Sequence, residues 1–239
     1  LAYYCCGDDE GTALWESTDG GTTFGEPRTI GSVAPESVVE GPGLNTLMTG
    51  LSGSGAPLGA GVQVMPTDDS PVTGYATLDD TAEGGAYYSG GVALLDDTTP
   101  VTAYTNLEDT YVRVYDRGAG GDYNDAGNWD GSVPLPDEDE PTIVSGPSGT
   151  YLMTHVEYDD NPLRDAYQVR RLSPDTGELG MPFLATDIRD SLFGTMAADA
   201  AGGLTAVWTD EGLLAPIRAS YSETGAGFTV PGTVVENVR

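Results

Sequence analysis

Four short acidic runs stand at similar places in this chain: Asp8, Asp9 and Glu10, then Glu108 and Asp109, Asp159 and Asp160, and Asp210 and Glu211. Carboxylates gathered this closely repel one another unless a cation or an arginine lies between them, and their hard oxygens suit Ca²⁺. A second oxygen-rich loop, GGDYNDAGNWDG, offers Asp122, Asn124, Asn128 and Asp130 as a further Ca²⁺ candidate. It departs from an EF-hand, because Ala126 and Val133 fall where oxygen ligands belong. Arg113, Arg170, Arg171 and Arg218 fall on expected third strands, and a guanidinium can hold a carboxylate in bidentate fashion.

Other reactive residue types are scarce. The single histidine, His155, lies in the strand-like segment YLMTHVEY with no nucleophile signature near it, which favours a packed or polar strand residue over a general base. Cys5 and Cys6 are adjacent, so a regular strand points them to opposite faces. Three states are open to them: a vicinal disulfide in a turn, a bond to another chain, or free thiols. No His or Cys spacing suits zinc. Trp15, Trp129 and Trp208 fall at strand ends or turn positions, where core packing is their expected use and sugar stacking the alternative.

The elements that carry these residues repeat. GPGLNTLMT and GPSGTYLMT align as copies, and each unit reads as four short strands, with a tight turn before the fourth. The turns centre near Asp19, Asp69, Asp125, Asp175 and Thr224, separated by 50, 56, 50 and 49 residues. That period fits blades of a β-propeller. The expected fold is all-β, a single domain over residues 1–239 with five visible four-stranded antiparallel blades, either complete or part of a six- or seven-bladed ring. Leu1 falls in a second-strand position, so the first blade lacks its opening strand; the terminal GTVVENVR is expected to supply an opening strand and close the ring.

The sharpest turn is Ser17, Thr18, Asp19, Gly20, Gly21, Thr22, Thr23, Phe24. Ser and Asp oxygens there can accept backbone N–H groups, glycine permits positive φ, and the aromatic is expected to tuck between sheets. The segment resembles the Asp-box of the sialidase-like, BNR-repeat propellers. Weaker copies stand at Asp125, Gly127 and Trp129, at Ser173, Asp175 and Gly177, and at Ser222, Gly225 and Phe228, with Thr224 in place of the acid. The copy at Asp69 has lost its glycine and aromatic.

The resemblance implies that these turns join third to fourth strands away from the ligand face. In a sialidase it would imply an arginine cluster, a Tyr–Glu nucleophile pair and an acid/base Asp. The family's Phe/Tyr-Arg-Ile-Pro segment is absent, and Pro216-Ile217-Arg218 does not match it. In blade geometry the four acidic runs occupy loops between second and third strands, so they are expected to share one rim opposite the boxes.

Composition narrows the partners. Nine basic residues, all arginine, face 38 acidic ones for a net charge of -29, which repels nucleic acid and anionic membranes. No apolar stretch is long enough to span a bilayer. The expectation is an extracellular, secreted or surface module without catalysis, binding a glycan, a protein, Ca²⁺ or its own kind; the alternative is a sialidase-like glycoside hydrolase.

Overall fold

The computed structural model describes residues 2–4, 12–30, 33–40, 46–52, 59–65, 75–79, 87–106, 109–131, 133–158, 165–187, 191–210 and 215–235. These residues form nineteen strands in five sheets, and the only helical feature among them is the 3-10 turn Ala126–Asn128.

Each sheet is an antiparallel meander with its strands in chain order. The first holds β1 (Ala2–Tyr4), β2 (Thr12–Trp15) and β3 (Arg28–Ile30). The second holds β4 (Val33–Glu40), β5 (Thr46–Ser52), β6 (Gly59–Met65) and β7 (Ala76–Asp79). The third holds β8 (Tyr87–Asp96), β9 (Thr99–Asn106), β10 (Asp109–Val114) and β11 (Val133–Leu135). The fourth holds β12 (Glu138–Gly146), β13 (Gly149–Glu157), β14 (Asp165–Leu172) and β15 (Phe183–Leu184). The fifth holds β16 (Ser191–Ala198), β17 (Leu204–Asp210), β18 (Ile217–Ser222) and β19 (Gly232–Val235).

The opening strands of successive sheets pack on one another, β4 on β8, β8 on β12 and β12 on β16, so the sheets are blades of a propeller arranged about their first strands. The apolar core is divided accordingly into three seams. One joins the second and third blades through Leu47, Val62, Tyr104 and Trp129. Another joins the third and fourth through Val101, Val112, Ile143 and Leu152. The last joins the fourth and fifth through Tyr151, Tyr167, Met196 and Trp208. A second strand in such a blade has neighbours on both faces, which explains why the β9 segment TPVTAYTN does not alternate: Thr99 to Thr105 are all buried.

The turns between third and fourth strands reach back to the preceding blade. In the fourth blade, Ser173 N donates to Glu178 O at 2.8 Å and Gly177 N to Ser173 O at 2.8 Å. Arg117 of the third blade donates to the carbonyls of Pro174 at 2.6 Å and Asp175 at 3.1 Å, and holds Asp96 at 2.6 Å. Gly177 combines a φ of 70° with a position where an added Cβ would lie 2.5 Å from Val114 Cγ2 of the third blade. Gly225 repeats the device with a φ of 68°, its missing Cβ pointing at the Tyr151 hydroxyl of the fourth blade, and Phe228 stacks on Phe183 at 5.9 Å.

Two expectations are corrected here. Gly232–Val235 is the fourth strand of the last blade, paired with β18, and not an opening strand for another blade. The edge of β18 was available in its own sheet, and the segment pairs there. Phe24 is not tucked between sheets: it is 46% exposed, with no preceding blade among the described residues to pack on as Phe228 packs on Phe183.

Candidate functional site

In a meander, the start of the first strand, the end of the second and the start of the third meet at one edge. In the fourth blade that edge brings Glu138, Asp139 and Glu140 of β12 beside Thr154 and His155 of β13 and Asp165, Tyr167 and Arg170 of β14, with Asp139 opposite His155 and His155 opposite Tyr167. The start of β16 joins from the fifth blade, because Ser191 N donates to Asp165 Oδ1 at 2.5 Å and Gly194 N to the Tyr167 hydroxyl at 2.6 Å.

The charged groups here are matched to one another. Glu138 receives Arg170 Nη1 at 2.6 Å, Arg170 Nη2 at 2.7 Å and Thr154 Oγ1 at 2.7 Å, with both charged side chains nearly out of water. His155 is buried, with Nδ1 2.8 Å from Asp139 Oδ1 and Nε2 3.3 Å from Asp165 Oδ2. Burial disfavours its charge, but the hydrogen bond and charge of Asp139, followed by those of Asp165, prevail and raise its pKa to about 9. Tyr167 is fully buried and donates to Glu140 Oε2. Burial first, and Glu140 second, push the Tyr167 pKa upward, so the phenol keeps its proton.

A β-bulge shapes this edge in every opening strand. The register slips by one residue between Pro35 and Ser37 in β4, Ser89 and Gly91 in β8, Asp139 and Thr142 in β12, and Leu192 and Thr195 in β16. Bulges re-aim side chains and gather beside functional sites. Glu140 and Phe193 sit in the last two at φ of 44° and 53°, uncommon for residues other than glycine. Ser37 Oγ of one bulge accepts Val92 N from the next blade at 3.3 Å, so the bulges also join neighbouring blades.

Of the residues marked by sequence, Asp109 and Asp210 stand at second-to-third strand connections. Asp8, Asp9, Glu10, Glu108, Asp159, Asp160 and Glu211, with Cys5 and Cys6, lie outside the described residues. Asp210 holds Arg218 Nε at 2.6 Å. Arg113 Nε donates to the Tyr104 hydroxyl at 3.2 Å, while Arg171 lines a cleft of about 420 Å³ at the opposite edge of the blades.

The Asp122–Asp130 loop is largely committed to its own folding. Asn124 Oδ1 accepts Val64 N from the second blade at 3.2 Å, Asn128 Nδ2 donates to Asp122 O at 2.9 Å, Asp125 caps Gly127 N at 2.9 Å and Asp130 N donates to Val114 O at 2.7 Å. Asp122, Asn124 and Asp125 line an open cleft of about 620 Å³ against Tyr75. Among the described residues, no three His, Cys, Asp or Glu side chains come together to hold a metal. Trp129 and Trp208 are core residues and Trp15 is half-buried.

Glu138, Asp139, Glu140, Asp165, Tyr167, Ser191 and Phe193 were not marked by sequence reasoning. The signal for them was present in PDEDEP, an acidic run at the start of a strand, and in the glycines of SGGV and FGT at equivalent places in β8 and β16.

No family model matches this sequence, and no curated protein matches it either. Solved structures do match in fold. A mutant of the NanB sialidase of Streptococcus pneumoniae superposes with a TM-score of 0.57 at 6% identity, over 82% of this chain and 32% of that one. The leech intramolecular trans-sialidase gives 0.58 at 13% identity, over 95% and 36%. A thermostable family-43 glycoside hydrolase gives 0.50 at 15% identity, over 87% and 75%. This chain thus spans about a third of the length of the sialidases it matches, and its fold is that of a sialidase-like β-propeller.

Proposed function

We propose that this chain is an Asp-box propeller that binds a ligand or partner outside the cell and catalyses no reaction. The observation that carries this reading is the pairing of two arginines on third strands, Arg170 and Arg218, with carboxylates. Arg170 is held bidentate by Glu138, and Arg218 Nε is held by one oxygen of Asp210 at 2.6 Å, each within its own blade. A sialoside-processing site needs guanidinium groups free to grip a substrate carboxylate. Breaking the nearly buried Arg170–Glu138 pair to provide one would cost about 3–5 kcal/mol.

The Asp-box identity is supported by the Ser17–Phe24 turn. Ser17 Oγ donates to Asp19 Oδ1 at 2.8 Å and accepts Gly21 N at 2.8 Å, while Asp19 accepts Thr23 N at 2.9 Å and Thr23 Oγ1 at 2.7 Å. These bonds lower the Asp19 pKa to about 2. The extracellular setting rests on the charge of -29, which suits solubility and opposes nucleic acid and anionic lipid. Among the described residues no helix is long and apolar enough to cross a membrane.

A glycoside hydrolase is the second reading, favoured by the Tyr167–Glu140 hydrogen bond, a phenol–carboxylate pair of the kind the resemblance implies for a nucleophile. The full burial of Tyr167 opposes it, since a nucleophile must reach its substrate. Fluorogenic α-sialosides and α-arabinofuranosides decide between the two. Release of fluorophore at the blank rate is expected; turnover abolished by Arg170→Ala or Arg218→Ala in folded protein would establish the enzyme instead.

A further inference from the structure

The fifth blade has two faces, and they differ in what covers them. Across its strands Met196, Ala206 and Ser220 form a row buried against the fourth blade, where Ser220 Oγ donates to Ala185 O at 2.6 Å. The residues between them point the other way. On that side Thr195, Val207 and Ala219 stand directly opposite one another, as do Ala197, Thr205 and Tyr221. Thr195, Ala197 and Tyr221 are exposed, and Thr205, Val207 and Ala219 are half-buried.

The fourth blade shows what such a face is built for. Tyr151 and Met153 hold the places on β13 that Thr205 and Val207 hold on β17, each opposite the third strand of its own sheet. Both are 1% exposed, because β16 of the next blade lies against β13 and β14. The equivalent face of the fifth blade has no such cover among the described residues. Its chemistry narrows what can supply one. In a chain of 38 acidic residues these two rows carry no charge, and every side chain in them except Tyr221 is small. Tyr221 reaches toward the β16–β17 turn, where its hydroxyl donates to Asp199 at 3.2 Å.

We propose that this face packs against the same face of a second copy of the chain, forming a two-fold dimer held sheet to sheet. A basic partner would be drawn to the carboxylates elsewhere on the molecule, and an acidic one would be repelled by them. An uncharged, low-relief β-face is complementary to itself, and two-fold symmetry sets the rows of one copy against those of the other. Small side chains let the two sheets close to about 10 Å, the spacing of stacked sheets. The contact continues the way this chain already joins its blades, with a second copy standing where a next blade would. It goes beyond the binding reading above and does not depend on it. Four strands about 4.8 Å apart and about six residues long make a face roughly 20 Å across, small for a stable dimer, so dissociation is expected in the micromolar range.

The test is sedimentation equilibrium of the full chain from about 5 to about 500 µM, in about 50 mM and about 500 mM NaCl. A monomer–dimer equilibrium is expected, and it should tighten with salt, since each copy carries a charge of -29. Thr195→Asp puts one carboxylate per copy into the interface at a position exposed in the single chain, so the variant should fold normally and raise the dissociation constant at least about tenfold. Ala197→Asp, also exposed, repeats the measurement in the other row. Met181→Asp adds the same charge at a residue 88% exposed in the turn between β14 and β15, and should change the constant by less than about twofold. A native chain that stays monomeric throughout would overturn the proposal. So would a dimer that Thr195→Asp and Ala197→Asp leave as tight as Met181→Asp does, since another surface then holds it. A monomer whose melting temperature falls with Thr195→Asp but not with Met181→Asp would also overturn it, and would assign the cover to another part of the same chain.

Discussion

His155 is buried between two carboxylates supplied by two different strands, and its charge is part of the fold. Its pKa of about 9 in the folded chain lies above the ordinary 6.5. A raised histidine pKa contributes stability in full below pH 6.5, and that contribution is lost as pH climbs through 9, in total on the order of 3 kcal/mol. Melting temperature is therefore expected to fall by several degrees between pH 6.5 and 9, and His155→Gln should flatten the profile. An unchanged slope in that variant would assign the effect to other groups. The Glu138–Arg170 pair makes a different prediction. Glu138→Ala strands a guanidinium that is 12% exposed and should cost about 3–5 kcal/mol in chemical denaturation. Replacing both members with methionine should cost much less, since no charge is then left unpaired. Neither arrangement was legible in the sequence, because Glu138 and Arg170 are 32 residues apart and meet only through the pairing of three strands.

The blades themselves were legible because their turn chemistry is local. Ser17, Asp19 and Gly21 bond within a few residues of one another, so their spacing survives as a sequence signal. The bulges were not: Glu140 and Phe193 adopt positive φ without being glycine, held by Tyr167 and its bonds to Glu140 and Gly194. The fate of Phe24 and of Gly232–Val235 was also hidden, since both depend on which neighbouring surface is present. The turns between third and fourth strands lend themselves to a matched pair of substitutions. Gly20 has a φ of 72° and open space where its Cβ would stand, so Gly20→Ala should cost only the backbone penalty, about 1–2 kcal/mol. Gly225→Ala carries the same penalty and also drives a methyl into the Tyr151 hydroxyl of the fourth blade. It should be the more damaging of the two in denaturant titrations, and equal losses would deny the turn its role in joining blades.

Over the molecule as a whole, 38 acidic residues against nine arginines produce a self-repulsion that salt should relieve. Melting temperature is expected to rise with NaCl. A specific Ca²⁺ site would raise it further at matched ionic strength, by about 2.7 kcal/mol of stability when Ca²⁺ stands at a hundred times its dissociation constant. Coincident curves for CaCl₂ and ionic-strength-matched NaCl would leave the rim acids as a solvated surface. Composition made this charge plain from the outset, whereas its partial cancellation by Arg170 and Arg218 required the fold. The way the blades are joined also gives the chain a direction. The turn of the fourth blade is received by Arg117 of the third, Asn124 of the third reaches Val64 of the second, and Phe228 of the fifth rests on Phe183 of the fourth. In each case the later segment closes onto the earlier one. A nascent chain leaving the ribosome therefore offers these turns a partner that is already made, while each apolar seam between blades closes when the later blade arrives.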